Sequence, residues 1–223
     1  GSNNTALGDK ALSANTTASG NTAVGADALF TNSTGANNVA IGKDALEANT
    51  TADNNTAVGQ AAMQANTTGA NNVAVGQTAL DANTTADNNT AVGYAALTAN
   101  TTGTRNTAVG AVALDALTTE NDNTAIGYSA LSSEVSGFRN TAVGSGAGAN
   151  QNGGTNNALL GYNAGSDITT GDANTFIGSD CGDANTTASN NTGVGQNALG
   201  ANTTGTSNTA VGSSAGAAIT TGQ

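Results

Sequence analysis

The sequence predicts an all-β chain folded as a parallel β-solenoid of thirteen 17-residue turns. Three observations lead there. The first is a glycine at every seventeenth position from Gly8 to Gly212, with no insertion anywhere in the series. Only a structure in which each copy rests on the last penalises every insertion in this way. The second is that other positions keep step with that glycine. Asn stands four residues before it in all thirteen copies, an aliphatic one residue before it in all thirteen, and Ala three residues after it in twelve. The third is composition. The chain has 31 Gly, no Pro, no Trp, no His and only 9% charged residues. Its polarity lies in Asn and Thr, side chains that can bond to identical neighbours stacked above and below, where stacked charges would repel.

The repeat reads N-T-A-V-G-x-x-A-L-x-A-N-T-T-[GA]-x-N, and each part has an expected form. Helix propensity is poor, because Gly, Asn, Thr and Val dominate, and a repeat of this length is too short for a helical hairpin. The N-T-A-V run favours an extended strand, and the glycine that follows allows a sharp corner. A second short strand is expected over x-A-L-x-A. The N-T-T-[GA]-x-N stretch is expected to form the second corner. Thirteen turns at about 4.8 Å each make a rod roughly 60 Å long. Each strand then lies beside its own copy one turn on. The Asn column becomes a side-chain amide ladder and the Val column an aliphatic spine, typified by Asn55, Val58 and Gly59, by Asn72, Val75 and Gly76, and by Asn89, Val92 and Gly93.

One turn is thin. Ordering a residue's backbone costs about 1–2 kcal/mol, and burying one Val and one Leu returns roughly 1.5–3 kcal/mol each. More buried surface is needed, and the first strand suggests where. Side chains alternate between faces, so Val39, Ala40 and Ile41 offer apolar atoms on both sides, as do Val73, Ala74 and Val75. One face is expected to fill the turn's own core and the other to meet further copies of the chain, in a parallel homotrimer with first strands near the axis. Leu gives way to Gly at four copies. At Gly165 and Gly216 the residue three later becomes Ile168 or Ile219, returning the lost aliphatic; Gly148 and Gly182 show no such exchange.

Runs such as Asn106–Gly110 (NTAVG), Asn157–Gly165 (NALLGYNAG) and Asn174–Gly178 (NTFIG) resemble the head repeats of trimeric autotransporter adhesins of the YadA type. They also resemble the repeat tracts of trimeric phage tail-fibre proteins. The likeness covers essentially the whole chain, although the adhesin heads use a shorter repeat than this one. The resemblance implies a left-handed β-roll, a homotrimer, an extracellular location on a cell surface or a virion tail, and a role as a structural or adhesive fibre segment. Such a segment spaces or presents a host- or surface-binding tip. Gly1 and Ser2 read as a cloning scar, and residues 3–223 as a single repeat domain cut from a longer fibre.

Other chemistry finds little footing. The net charge is −11, with Lys10, Lys43, Arg105 and Arg139 the only basic side chains. That balance disfavours nucleic acid and anionic membrane surfaces. No run of about 18 apolar residues exists to span a bilayer. Without His there is no imidazole base, and one cysteine, Cys181, builds neither a disulfide nor a zinc site. Cys181 stands where the other copies have Ala and reads as a small buried substitute. No catalytic residue, metal site or cofactor is expected, and the chain is not expected to be an enzyme. The carboxylates, among them Asp53 and Asp87, read as solvated corner residues. The alternative function is a solenoid face that itself binds a ligand. Glycan would stack on Tyr94, Tyr128 and Tyr162, which stand 34 residues, or two copies, apart, with Arg105 and Arg139 sharing another position two copies apart. Ice would bind regular columns of Thr and Asn.

Overall fold

A computed structural model describes residues 1–222. It contains thirteen three-residue strands, one in each 17-residue copy, and no helix among the described residues. The chain is a parallel β-solenoid. It divides into two compact units, Gly1–Ala111 and Val112–Gln223. The first holds β1 (Thr5–Leu7), β2 (Thr22–Val24), β3 (Val39–Ile41), β4 (Thr56–Val58), β5 (Val73–Val75), β6 (Thr90–Val92) and β7 (Thr107–Val109). The second holds β8 (Thr124–Ile126), β9 (Thr141–Val143), β10 (Ala158–Leu160), β11 (Thr175–Ile177), β12 (Thr192–Val194) and β13 (Thr209–Val211). Within each unit successive strands pair in parallel with the repeat's own register, as in Thr56↔Val73, Ala57↔Ala74 and Val58↔Val75, or Thr192↔Thr209, Gly193↔Ala210 and Val194↔Val211.

The strand alternation sets inside from outside. The middle residue points into the turn and is fully buried, as Ala40, Ala57, Ala74 and Ala91 are in the first unit and Ala125 and Ala142 in the second. Its two neighbours point outward. The aliphatic before the glycine therefore does not fill the core, contrary to the expectation of a buried Val. Ile41 and Val75 remain 40% and 37% exposed, and Val58 and Val92 are half-buried. The interior is built instead from two Ala columns, the Leu column and the Asn columns.

The x-A-L-x-A segment is not a second strand. It is a chain of tight turns in which two of every five residues take positive φ. In the third copy Asp44 has φ 60° and Leu46 φ 51°. The Ala45 N–H closes a turn onto the Gly42 carbonyl at 3.3 Å, and the Asn49 N–H closes another onto the Leu46 carbonyl at 3.1 Å. Between these turns the backbone bonds in opposite directions: the Asp44 N–H to Ala26 O in the preceding copy (3.0 Å) and the Leu46 N–H to Ala62 O in the following one (3.0 Å). The buried backbone is thereby satisfied without an extended ladder. Left-handed backbone costs an ordinary L residue roughly 1–2 kcal/mol. Leu46 offsets it by complete burial, since this conformation aims its side chain into the core.

That geometry explains why the Leu column accepts glycine. Gly148, Gly165 and Gly182 have φ of 60°, 58° and 60°, close to that of the leucines they replace. Their missing volume is supplied by the strand and, at Gly165, also by Ile168 of the corner. Where Ala is usual, the tenth and eleventh copies carry Leu159 and Phe176, both buried. A Cβ on Gly182 would lie 2.5 Å from the Phe176 ring, and one on Gly148 would lie 2.8 Å from a methyl of Leu159. One on Gly165 would meet Ile168 Cδ1 at 2.7 Å and Leu159 Cδ2 at 2.9 Å. The exchange therefore extends to all three sites: Ile168 and Leu159 fill the space at Gly165, Leu159 that at Gly148, and Phe176 that at Gly182. Room for the ring also comes from Gly193, whose added Cβ would stand 3.2 Å from Phe176 Cδ1 and 2.7 Å from Cys181 Sγ. Cys181 itself is buried and unpaired, as a substitute for Ala should be, and burial pushes its thiol up to about 11.

Candidate functional site: the amide ladders and the outer strand face

Two Asn columns run through the interior, and they use different bonds. In the column four residues before the glycine, the ladder joins side chain to backbone. Asn55 Oδ1 accepts the N–H of Asn72 at 2.9 Å, and Asn72 Oδ1 accepts that of Asn89 at 2.8 Å. Each side chain also donates Nδ2 to the corner carbonyl that closes its own copy, Asn55 to Gly69 and Asn72 to Ala86, both at 2.8 Å. The same pair of bonds recurs in the second unit, for example at Asn140 and Asn157. One side chain thus joins the strand start to the far corner, which is why no other residue type stands there. The amide-to-amide ladder predicted for this column appears in it in the second unit, where Asn174 and Asn208 donate Nδ2 to the Oδ1 of Asn157 and Asn191 at 3.2 and 3.1 Å; in the first unit it lies in the other column. There Asn49, Asn66 and Asn83 each donate Nδ2 to the Oδ1 one copy earlier, at 2.8, 3.2 and 2.8 Å. In the second unit that ladder is interrupted by Ile168, and the buried Asn185 Nδ2, next after it, has no partner among the described residues.

The glycine column is a close approach of backbone to backbone. Gly59, Gly76 and Gly93 have φ of 138°, 141° and 138°. A Cβ on Gly93 would lie 2.5 Å from the Gly110 carbonyl oxygen of the following copy. Both the torsion and the clearance require glycine.

Around the corners, polar side chains serve the backbone. Asp53 and Asp87 are more than solvated. Each accepts a backbone N–H from the preceding copy, of Ala36 and Ala70, at 2.6 Å. The first Thr of the N-T-T corner donates its hydroxyl to the next copy's carbonyl, as Thr50 does to Thr67 and Thr67 to Thr84, at 3.1 and 3.0 Å. Those hydroxyls donate to the chain's own backbone. Burial raises the carboxyl pKa of Asp81, Asp115 and Asp183, which stand in one repeat column on the turn segment.

The residues named for glycan contact are exposed. Tyr94, Tyr128 and Tyr162 are 58%, 64% and 57% exposed, just beyond the strand's end. Arg105 and Arg139 precede a strand, at φ 58° each, so a strand's length separates the two columns. Arg105 donates to Thr104 Oγ1 at 3.0 Å, and the Arg139 guanidinium lies 5.0 Å from the Phe138 ring. Among the described residues no cavity large enough for a ligand is found, and no three Cys, Asp or Glu side chains converge on a metal position. Among them, too, no helix is long and apolar enough to cross a membrane.

What remains is the outer face of the strands. Its two outward positions carry Thr, Val or Ala at one and Val, Ile or Leu at the other, in all thirteen copies. Not one is charged, in a chain of net charge −11. In the first unit Ile41, Val73 and Val75 are exposed along it, and in the second Ile126, Leu160 and Ile177. Compared with protein-family models, curated proteins and solved structures, the chain matches none.

Proposed function

We propose that the chain is a rigid segment of a trimeric fibre on a cell surface or a virion tail, whose work is to space or present a host- or surface-binding tip. Three parallel copies meet through the outer strand face. The observation that carries this reading is the uncharged aliphatic column on that face. Soluble chains rarely leave a long apolar strip uncovered, and here the strip repeats in register with the strands. A face free of charge can be covered by copies of a chain of net charge −11 without bringing like charges together. The resemblance to trimeric adhesin and tail-fibre repeats points to the same assembly. Side chains at the ladder positions are engaged with their own backbone, which suits a strut more than a catalyst.

The reading is tested by placing charge on the face. In an Ile41→Lys/Val75→Lys double variant both lysines would stand outward in the first unit, where a monomer tolerates them. The expected result is a fall in solution mass from three chains to one, with the far-UV signature of the solenoid retained. A variant that keeps the trimer mass would remove this face as the interface.

A further inference from the structure

We propose that Asn152 is a site of spontaneous cyclisation and deamidation, with the buried carboxylate of Glu134 as the proton acceptor. Asn is abundant in this chain, yet Asn152 alone is followed by glycine. A glycine at that position leaves the backbone nitrogen unshielded, so it can attack the side-chain amide. Asn152 is exposed, and its neighbour Gly153 has φ 108°, a conformation closed to other residues. The N–H of Ser136, one copy earlier in the same column, reaches Glu134. At Thr34, Thr68, Thr170 and Thr204, which hold the Gly153 position in their copies, the N–H turns toward the following copy, as Thr68 bonds to Thr84 O at 3.2 Å. At Gly153 it turns the other way and donates to Glu134 Oε1 at 2.8 Å.

Glu134 is itself out of place. It occupies the interior Asn column, is fully buried, and has no cationic partner among the described residues. It is held by donors instead: the N–H groups of Ser136, Gly137 and Gly153 on Oε1, and Gln151 Nε2 on Oε2 at 2.8 Å. A fixed carboxylate therefore touches the nitrogen that must lose its proton. In the step proposed, Glu134 takes the Gly153 amide proton as that nitrogen forms a bond to Asn152 Cγ. The Cγ–Nδ2 bond then breaks and the proton returns to the departing nitrogen, which leaves as ammonia. Solvent water opens the resulting succinimide to aspartate or isoaspartate. One neutral amide becomes a carboxylate on an exposed corner.

The test is peptide mapping by mass spectrometry of chain aged at neutral pH, folded and in urea. Deamidation at Asn152 is expected to be faster in the folded chain than in the unfolded one. Replacing the base by Glu134→Gln should slow it by at least about tenfold. Because Gln at this interior site can alter folding, Glu134→Asn, which restores the residue common to the column, serves as a second variant and should slow it equally. Slower reaction in the folded wild type than in urea, or an undiminished rate in both variants, would overturn the proposal.

Discussion

Replacing Phe176 by Ala is expected to cost about 3–5 kcal/mol, the usual range for removing a fully buried phenylalanine. The distinctive expectation is its rescue. Phe176 occupies the space of the leucine missing at Gly182, whose added Cβ would overlap the ring. Gly182→Leu alone should therefore destabilise strongly. Added to Phe176→Ala, it recreates the Ala–Leu pair found in the common repeat, such as Ala91 with Leu97, and should recover more than half of the loss. Recovery stays incomplete because Gly193 leaves room that the ring had filled; Gly193→Ala together with Cys181→Ala, which removes the sulfur 2.7 Å from the added Cβ, should return the remainder. Denaturant melts of wild type, the two single variants and the double variant form a double-mutant cycle with a large coupling energy. Additive losses would show that the ring and the glycine are independent.

The second large effect is expected at the glycine column. Gly93→Ala places a methyl 2.5 Å from the Gly110 carbonyl oxygen and forces alanine to φ 138°. Backbone strain of this kind costs of order 1–3 kcal/mol, and the collision with backbone adds to it. Gly212 supplies the control. Its φ is 126°, but the nearest atom to an added Cβ is Ala215 Cβ at 3.9 Å. Gly212→Ala should thus show the torsional cost alone, and Gly93→Ala a larger loss by thermal unfolding. Equal losses would mean that torsion, not the approach of successive copies, keeps the column glycine.

Much of this architecture is legible in the sequence, because a stacked fold writes its register into the chain. Strand, glycine corner and Asn column each sit at a fixed offset, so position alone places them. The x-A-L-x-A segment differs from its sequence-based expectation for a physical reason. A leucine at positive φ is rare enough that an apolar segment of alternating character reads as extended, while the burial that holds Leu46 in that conformation is visible only in three dimensions. Packing across columns is equally hidden. Phe176 and Gly182 are six residues apart and belong to different columns, so their shared volume has no sequence signal until both are known to face inward. Glu134 is visible in the sequence as an acidic residue in the Asn column. Without the nearby N–H groups it looks like any corner carboxylate. Which Asn column joins amide to amide, and in which copies, depends on where each carbonyl falls.

The outer face is the firmest link from sequence to assembly, because period-two alternation needs only the strand to be correct. Coverage of this face by three copies is tested most directly by light scattering after size exclusion. A solution mass near three times the 21.2 kDa chain mass is the predicted result. A mass near one chain would contradict the trimer and leave the aliphatic column as the solvent-facing side of a self-sufficient solenoid.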